Sequence, residues 1–235
     1  MSVPTSLWAY WGPRDEGSAT CANTIASFLE DLARIDPVFA VWRQKGYSRK
    51  GAMKEIRRDV GAIQHLLETA GLAAHEPPQP EAGFSFSAWT GHRTGHAATV
   101  SVYCGMHSRQ PGVPPNRVNL ELPYEDPEAT RIVTTEPAEG IIGACVGAFD
   151  PDSAVMRRSP AVHVPYGSRR IAALGWLTYF RLPARRVAAL LPGWEFQILG
   201  AGTLVIPPGG PAWDDSQQAL LEQAARDLAK EGILL

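Results

Sequence analysis

The sequence has few cysteines, little net charge and no long hydrophobic run. Its three cysteines are far apart and form no CxxC pair, which argues against a disulfide framework and a structural zinc site. With a formal charge of −2, the chain lacks the excess of basic residues that is typical of nucleic-acid-binding proteins. Neither a membrane span nor a secretory signal is visible. We therefore expect a cytoplasmic protein that binds no membrane and no nucleic acid directly.

Apolar residues make up 45% of the 235-residue chain, which is enough for a large core. The runs FSFSAWTG and HAATVSVYCG, joined by HRTG, predict one β-hairpin, and WEFQILG followed by TLVIPP predicts another. Helical periodicity predicts helices that start near Ser18 or Thr20 and at Ser48, the second ending at Gly71. Together these patterns predict an α+β fold, with a largely antiparallel sheet and helices packed on it.

The chain is predicted to be a single domain, residues 1–235. A proline-rich break at 77–83 separates possible halves 1–76 and 84–235. The segments IDPVFAVWR and FDPDSAVMR begin and end alike, which leaves open a diverged duplication in which two α/β halves share one sheet. Chance explains the match equally well, because no full-length period is visible.

The opening run SLWAYWGPR concentrates ring surface in one predicted strand. Side chains alternate along a strand, so Trp8 and Tyr10 share one face and Trp11 lies on the other. Large rings on both faces favour a strand buried between two layers over a one-sided stacking platform.

Two histidines four residues apart, His92 and His96, are the first candidate for chemistry. On a helix this spacing would present both rings to one metal ion, with Cys104 and His107 as conceivable further ligands. Thr94 and its following glycine place the pair at a hairpin tip, where the helical geometry is lost. We therefore expect no resident metal, no cofactor and no catalytic residue. A metal-dependent hydrolase using His92 and His96 remains the alternative.

Clustered carboxylates form the second candidate. The segments ELPYEDPE and WDDS contain acidic groups that could bind Mg²⁺, cap helices or meet a basic partner. An aromatic residue beside acids is a typical composition for a binding hot spot. The candidate partner-binding residues are Glu125, Asp126, Trp213, Asp214 and Asp215.

The opening segment WGPRDEGSATCANTIASFLEDLARIDPVFAVW resembles the start of the immunity protein 52 family of bacterial polymorphic toxin systems. In that family an aromatic strand leads into Trp-Gly-x-Arg, an acidic residue and a Cys-Ala pair at the head of a helix. The later segments AFDPD and GWLTYF are also similar. The residues that carry the resemblance, all expected to be structural, are Trp8, Trp11, Gly12, Arg14, Cys21, Asp36, Pro37, Trp42, Trp176 and Tyr179.

The resemblance implies an antidote that is not an enzyme. Members are encoded beside toxins, often nucleases of the restriction-endonuclease-like class, that type VI secretion or related systems deliver. The implied partner is the cognate toxin, neutralised by steric and electrostatic occlusion. An adaptor module of a secretion apparatus is a further alternative, and the sequence leaves the oligomeric state open.

Overall fold

The computed structural model describes residues 4–45, 52–73, 83–106, 116–158, 165–166, 169–170, 174–209 and 215–232. Within these ranges the chain forms six α-helices and twelve strands. The helices are α1 Ser18–Ile35, α2 Val60–Ala73, α3 Glu128–Ile132, α4 Thr135–Phe149, α5 Ala184–Ala188 and α6 Asp215–Lys230. The strands are β1 Thr5–Trp11, β2 Trp42–Gln44, β3 Glu55–Ile56, β4 Phe84–Trp89, β5 Thr99–Cys104, β6 Asn116–Glu121, β7 Ser153–Arg158, β8 Pro165–Tyr166, β9 Arg169–Arg170, β10 Leu177–Phe180, β11 Glu195–Leu199 and β12 Gly202–Ile206.

Ten strands form one sheet in the order β11-β12-β10-β7-β1-β6-β5-β4-β2-β3, and β8 pairs separately with β9. Every strand pair is antiparallel. The α+β class and the two predicted hairpins, β4-β5 and β11-β12, are therefore confirmed. Strand β1 lies between β6 and β7, so residues before and after the 77–83 break share the sheet. The single domain and the internal duplication stay predictions.

The main core lies on one face of the sheet, under α1, α2 and α4. The apolar stripe of α1 is fully buried there, because helical periodicity directs its members to one side. Trp11 and Phe28 each pack with their ring centroid 5.2 Å from that of Phe149, near the end of α4. Burying a ring of this size stabilises the fold by roughly 2–3 kcal/mol.

A second core lies on the opposite face, where α5 and α6 cover β10 and β12. Phe180 and Val205 point into this second core, while their neighbours Tyr179 and Leu204 point into the main core. Strands β10 and β12 are therefore buried on both faces.

Over β4, β5, β6 and β1, no described helix covers that second face. Side chains at alternate positions of these strands are partly or fully exposed, and we call this surface the outer face. The expectation that β1 is buried between two layers is wrong in this half of the sheet. Trp11 is buried, but Trp8 and Tyr10 lie on the outer face and remain partly exposed. The outer face consists of Ser6, Trp8, Tyr10, Ser85, Ser87, Trp89, Thr99, Ser101, Tyr103, Arg117, Asn119 and Glu121.

The second predicted helix is not continuous. Its predicted start, Ser48, lies outside the described residues, but Ile56, placed in its apolar stripe, belongs to β3, and the helix that contains Ile63 and Leu67 begins at Val60. Asp59 explains the start, because its carboxylate accepts a hydrogen bond of 2.9 Å from the Ala62 N–H, as an N-cap residue does. The helix also runs past Gly71. None of the helices in the described ranges is long and apolar enough to cross a membrane.

Candidate functional site

The turn after β1 is tied to the end of α4. Arg14 donates hydrogen bonds of 2.8 and 2.5 Å to the carbonyl oxygens of Phe149 and Asp150, and the Gly12 N–H donates to a carboxylate oxygen of Asp152 at 2.9 Å. Asp150 ends the helix with a left-handed backbone, φ +42°. Carbonyls at a helix end lack partners within the helix, so Arg14 satisfies groups that would otherwise depend on water. These contacts are structural.

Asp36 joins α1 to α3. Its carboxylate accepts hydrogen bonds of 2.5 and 2.9 Å from Arg131 and one of 2.8 Å from the Val38 N–H. Burial opposes ionisation of this carboxyl, but the hydrogen bonds from Arg131 and Val38 outweigh burial and lower the pKa of Asp36. Pro37 opens the short 3₁₀ helix that follows. The Asp36 carboxylate is buried, so these contacts are also structural.

The remaining residues of the family resemblance, apart from Trp8, are buried. One of them, Cys21, forms a hydrogen bond with the Cys104 thiol. This bond and burial raise the pKa of Cys104 well above its ordinary value, so Cys104 is suited neither to nucleophilic attack nor to metal binding. The buried set is Trp11, Cys21, Trp42, Trp176 and Tyr179. A surface that meets a partner has to be built from other residues.

The loop after β6, which contains the predicted binding residues Glu125 and Asp126 and which we call the acidic loop, contacts the β4-β5 connection. The N–H groups of Tyr124 and Glu125 both donate to the Gly95 carbonyl, at 2.8 and 2.9 Å. His96 lies between two carboxylates, with Nε2 3.1 Å from Glu125 and Nδ1 2.7 Å from Glu128. The hydrogen bond with His96 lowers the pKa of Glu128. Gly95 has φ +88°, and a Cβ there would lie 2.5 Å from Cδ of Glu125, so glycine permits this close approach.

The two predicted acids of this loop differ in what they already bind. Asp126 accepts hydrogen bonds from the backbone N–H and the hydroxyl of Thr130, so it helps to fix α3. The Glu125 side chain is about half exposed, and its described partner is His96. Glu125 is therefore the more available of the two for a partner protein.

A cavity of about 850 Å³ lies beside this loop, over one end of the outer face. The rings of Trp8, Trp89 and Tyr124 line it, together with one cation, Arg157, and one anion, Glu121. Its size falls within the usual range for binding pockets, and its mixture of rings with a few charges is typical of them.

Rings and guanidinium groups alternate across the neighbouring strands. The guanidinium carbon of Arg157 lies 4.4 Å from the Trp8 ring centroid, and that of Arg117 lies 3.9 Å from the Tyr103 ring centroid. Burial raises the pKa of Tyr10, and the two arginines oppose the shift. The ring and its cation stabilise each other through cation–π attraction.

The other predicted binding residues fall largely outside the described part of the chain. Trp213 and Asp214 lie outside it, and of Asp215 only its place as the first residue of α6 is described. Helix α6 packs on the second core, whereas Glu125 and Asp126 belong to the loop beside the β4-β5 connection. The described contacts do not bring these two acidic patches together.

Sequence reasoning missed the cavity and the arginine–ring pairs. The sequence of β1 held no clear signal, because a polar residue lies on each face: Ser6 beside Trp8 and Tyr10, and Thr5 beside Leu7 and Trp11.

The histidine pair lacks the geometry of a metal site. His92 is exposed, whereas both ring nitrogens of His96 are engaged by Glu125 and Glu128. His107 lies outside the described residues. In the described ranges no group of three or more His, Cys, Asp or Glu side chains is placed to hold a metal ion. A metal at His96 would have to displace a carboxylate that already binds the ring.

A model of the immunity protein 52 (Imm52) family matches residues 6–206. The chain belongs to the Imm52 family. This confirms the resemblance noted in the sequence. Among solved structures the chain is similar to "Pseudomonas aeruginosa T6SS protein PA0821", with a TM-score of 0.57 at 12% identity over 96% of this chain and 73% of that chain. At that identity the similarity shows the fold alone. No curated protein matches the sequence.

Proposed function

We propose that this Imm52 protein is a cytoplasmic antidote without enzymatic activity, which binds and neutralises one cognate antibacterial toxin. The observation that carries the proposal is the match of the immunity-protein family model over most of the chain. The toxin belongs to a type VI or related secretion system and is a nuclease of the restriction-endonuclease-like class.

The mechanism is occlusion by a rigid body. A nuclease needs a basic groove to hold its phosphate substrate, so acidic side chains on an inhibitor attract and orient it. The acidic loop offers Glu125 for this contact, held in place by Gly95 and His96. The nearby Glu121 lines the cavity and adds a second negative charge. Asp214, Asp215 and Trp213 form the second proposed patch.

Co-expression with the toxin encoded by the adjacent gene tests the function. We expect the wild-type protein to restore growth of cells that express the toxin and to co-purify with it. Failure of both rescue and binding would end the proposal. Co-purification with structural proteins of a secretion apparatus instead of the toxin would favour an adaptor.

The acidic surfaces are tested by charge reversal. Glu125→Lys should weaken toxin binding at least tenfold, because it replaces attraction by repulsion in the basic groove. Glu55→Lys is the matched control, since Glu55 is also exposed but lies on the edge strand β3. The pair Asp214→Lys and Asp215→Lys tests the second patch. Calorimetric titration of the toxin domain measures each affinity, and a surface whose reversal leaves the affinity unchanged is not the interface.

A further inference from the structure

Charge is unevenly distributed along the chain. Residues 83–120 and 153–194 together contain ten arginines and no Asp, Glu or Lys, so all 24 acidic residues lie elsewhere. The first stretch contains β4, β5 and most of β6, and the second contains β7 and β10. The centre of the outer face and its border at β7 therefore carry cations only, although the chain as a whole has a charge of −2.

Among the described residues, Arg117 and Arg157 of this surface have no carboxylate partner. Other arginines do: Arg14, Arg131 and Arg181 each lie within 4.0 Å of an Asp or Glu oxygen. No such ion pair joins Arg117 or Arg157 to any carboxylate in the described ranges, and both side chains are partly buried. Burial lowers the pKa of Arg157, because its guanidinium group has lost contact with water and no described carboxylate compensates for that loss.

Partly desolvated guanidinium groups bind carboxylates strongly. An arginine presents a planar fork of N–H donors that matches a carboxylate with two parallel hydrogen bonds. Stacking on Trp8 and Tyr103 holds the forks of Arg157 and Arg117 in place, which reduces the entropy lost on binding. The Tyr10 ring lies between these two arginine–ring pairs in the sheet.

The same surface is poorly suited to single-stranded nucleic acid. Such ligands stack their bases on free ring faces, and here a guanidinium group covers one face of each of Trp8 and Tyr103. Glu121 would also repel a phosphate chain at the cavity end of the surface. An acidic polypeptide segment needs no free ring face, and unlike a phosphate chain it can place a basic residue beside Glu121.

We infer that the outer face, together with Arg157 of β7, is a docking surface for an acidic segment of the toxin, whose carboxylates bind Arg117 and Arg157. An apolar side chain of that segment enters the cavity between Trp8 and Trp89. This inference rests on the proposed function and adds to it a basic contact on the antidote, distinct from the acidic loop.

The sheet register sets the spacing that the segment must match. Ser6 pairs with Arg157 on one side and with Glu121 on the other, so these two charged residues are two strands apart, about 10 Å. Arg117 and Glu121 are four residues apart along β6, about 13 Å. A segment that carries an acid and, about 10–13 Å away, a base would satisfy both ends of the surface.

Calorimetric titration with a catalytically inactive form of the adjacent gene's toxin domain tests the inference. The variant Arg117→Glu/Arg157→Glu should weaken binding at least 100-fold. The matched control is Arg185→Glu/Arg186→Glu, which makes the same charge change at exposed positions of α5 and should stay within threefold of wild type. The milder variant Arg117→Gln/Arg157→Gln should weaken binding at least tenfold. It provides the test if the glutamate variant does not fold.

Each result separates this inference from the proposed function. If the wild-type protein does not bind the toxin domain, the proposed function fails, and the inference fails with it. If wild type binds and both outer-face variants bind equally well, the inference alone is overturned. Equal losses in the control and outer-face pairs would also overturn it, since a general charge effect would suffice. Binding of a labelled single-stranded oligonucleotide to wild type that the glutamine variant abolishes would assign the surface to nucleic acid instead.

Discussion

The two faces of β1 use the same kind of residue in opposite ways. Trp11 is 2% exposed and packs against Phe149 in the main core, whereas Trp8, three residues earlier, lies partly exposed with Arg157 over its ring. Alternation along the strand sends the two rings to opposite sides. An aromatic motif in a sequence therefore does not have one role, because each ring takes its role from the face on which it lies.

The faces also differ in how they manage charge. On the helix-covered side, the buried carboxylate of Asp36 has the Arg131 guanidinium as its partner. On the outer face, Arg117 and Arg157 have rings beside them and no carboxylate among the described residues. A charge with a partner in its own chain stabilises the fold, whereas a charge without one is available to another molecule.

The tryptophan pair gives the largest expected difference in stability. Trp11→Ala should lower the free energy of unfolding by about 4 kcal/mol, because it removes a buried ring and leaves a cavity. Trp8→Ala should lower it by about 1 kcal/mol, since that ring keeps contact with water and loses mainly its attraction to Arg157. Urea unfolding followed by circular dichroism measures both. Equal losses for the two variants would contradict the division into a core face and an open face.

The ion pair between the buried Asp36 carboxylate and the exposed Arg131 side chain should show a smaller, pH-dependent effect. Asp36→Ala should cost about 2 kcal/mol at pH 7, because Arg131 and the Val38 N–H both lose their acceptor. The folded-state pKa of Asp36 is lowered, so its contribution is present above its unfolded pKa of about 3.9 and is lost as the pH falls below that value. The wild-type and variant stabilities should therefore converge in acid.

Urea unfolding at pH 7 and pH 3 checks the convergence, with Asp31→Ala as the control. Asp31 pairs with Arg34 on the exposed side of α1, and its loss should change the stability by less than about 0.5 kcal/mol. A stability difference between wild type and Asp36→Ala that stays constant with pH would show that the carboxylate charge contributes nothing.

Local patterns predicted much of this fold. The hairpin β4-β5 and the buried stripe of α1 follow from alternation and helical periodicity, which depend on neighbouring residues alone. The start of α2 at Val60 depends on one side chain, Asp59, although the apolar pattern extends further towards the N-terminus. The Asp59 carboxylate accepts a hydrogen bond from the first turn of the helix and thereby sets its start.

Long-range pairing accounts for what local patterns could not predict. Arg157 reaches Trp8 because β7 pairs with β1 across more than 140 residues. The acidic loop was visible as a composition, but its contact with Gly95 and His96 depends on where the β4-β5 connection lies in the folded protein. A sequence shows which groups exist, and only the order of strands in the sheet shows which groups meet.

The smallest expected effect is on the ionisation of Tyr10. Its pKa should exceed that of free tyrosine, because burial disfavours the phenolate more than the two arginines favour it. Arg157→Met keeps an unbranched side chain over Trp8 but removes a charge, so the pKa of Tyr10 should rise further. Titration of ¹³C-labelled tyrosine by NMR measures the shift, and Arg185→Met, a change on α5, is the control. A lower Tyr10 pKa in Arg157→Met would mean that Arg157 acts on this ring mainly by covering it. The charge of Arg157 would then matter less on the outer face than we infer from the lack of a carboxylate partner for it among the described residues.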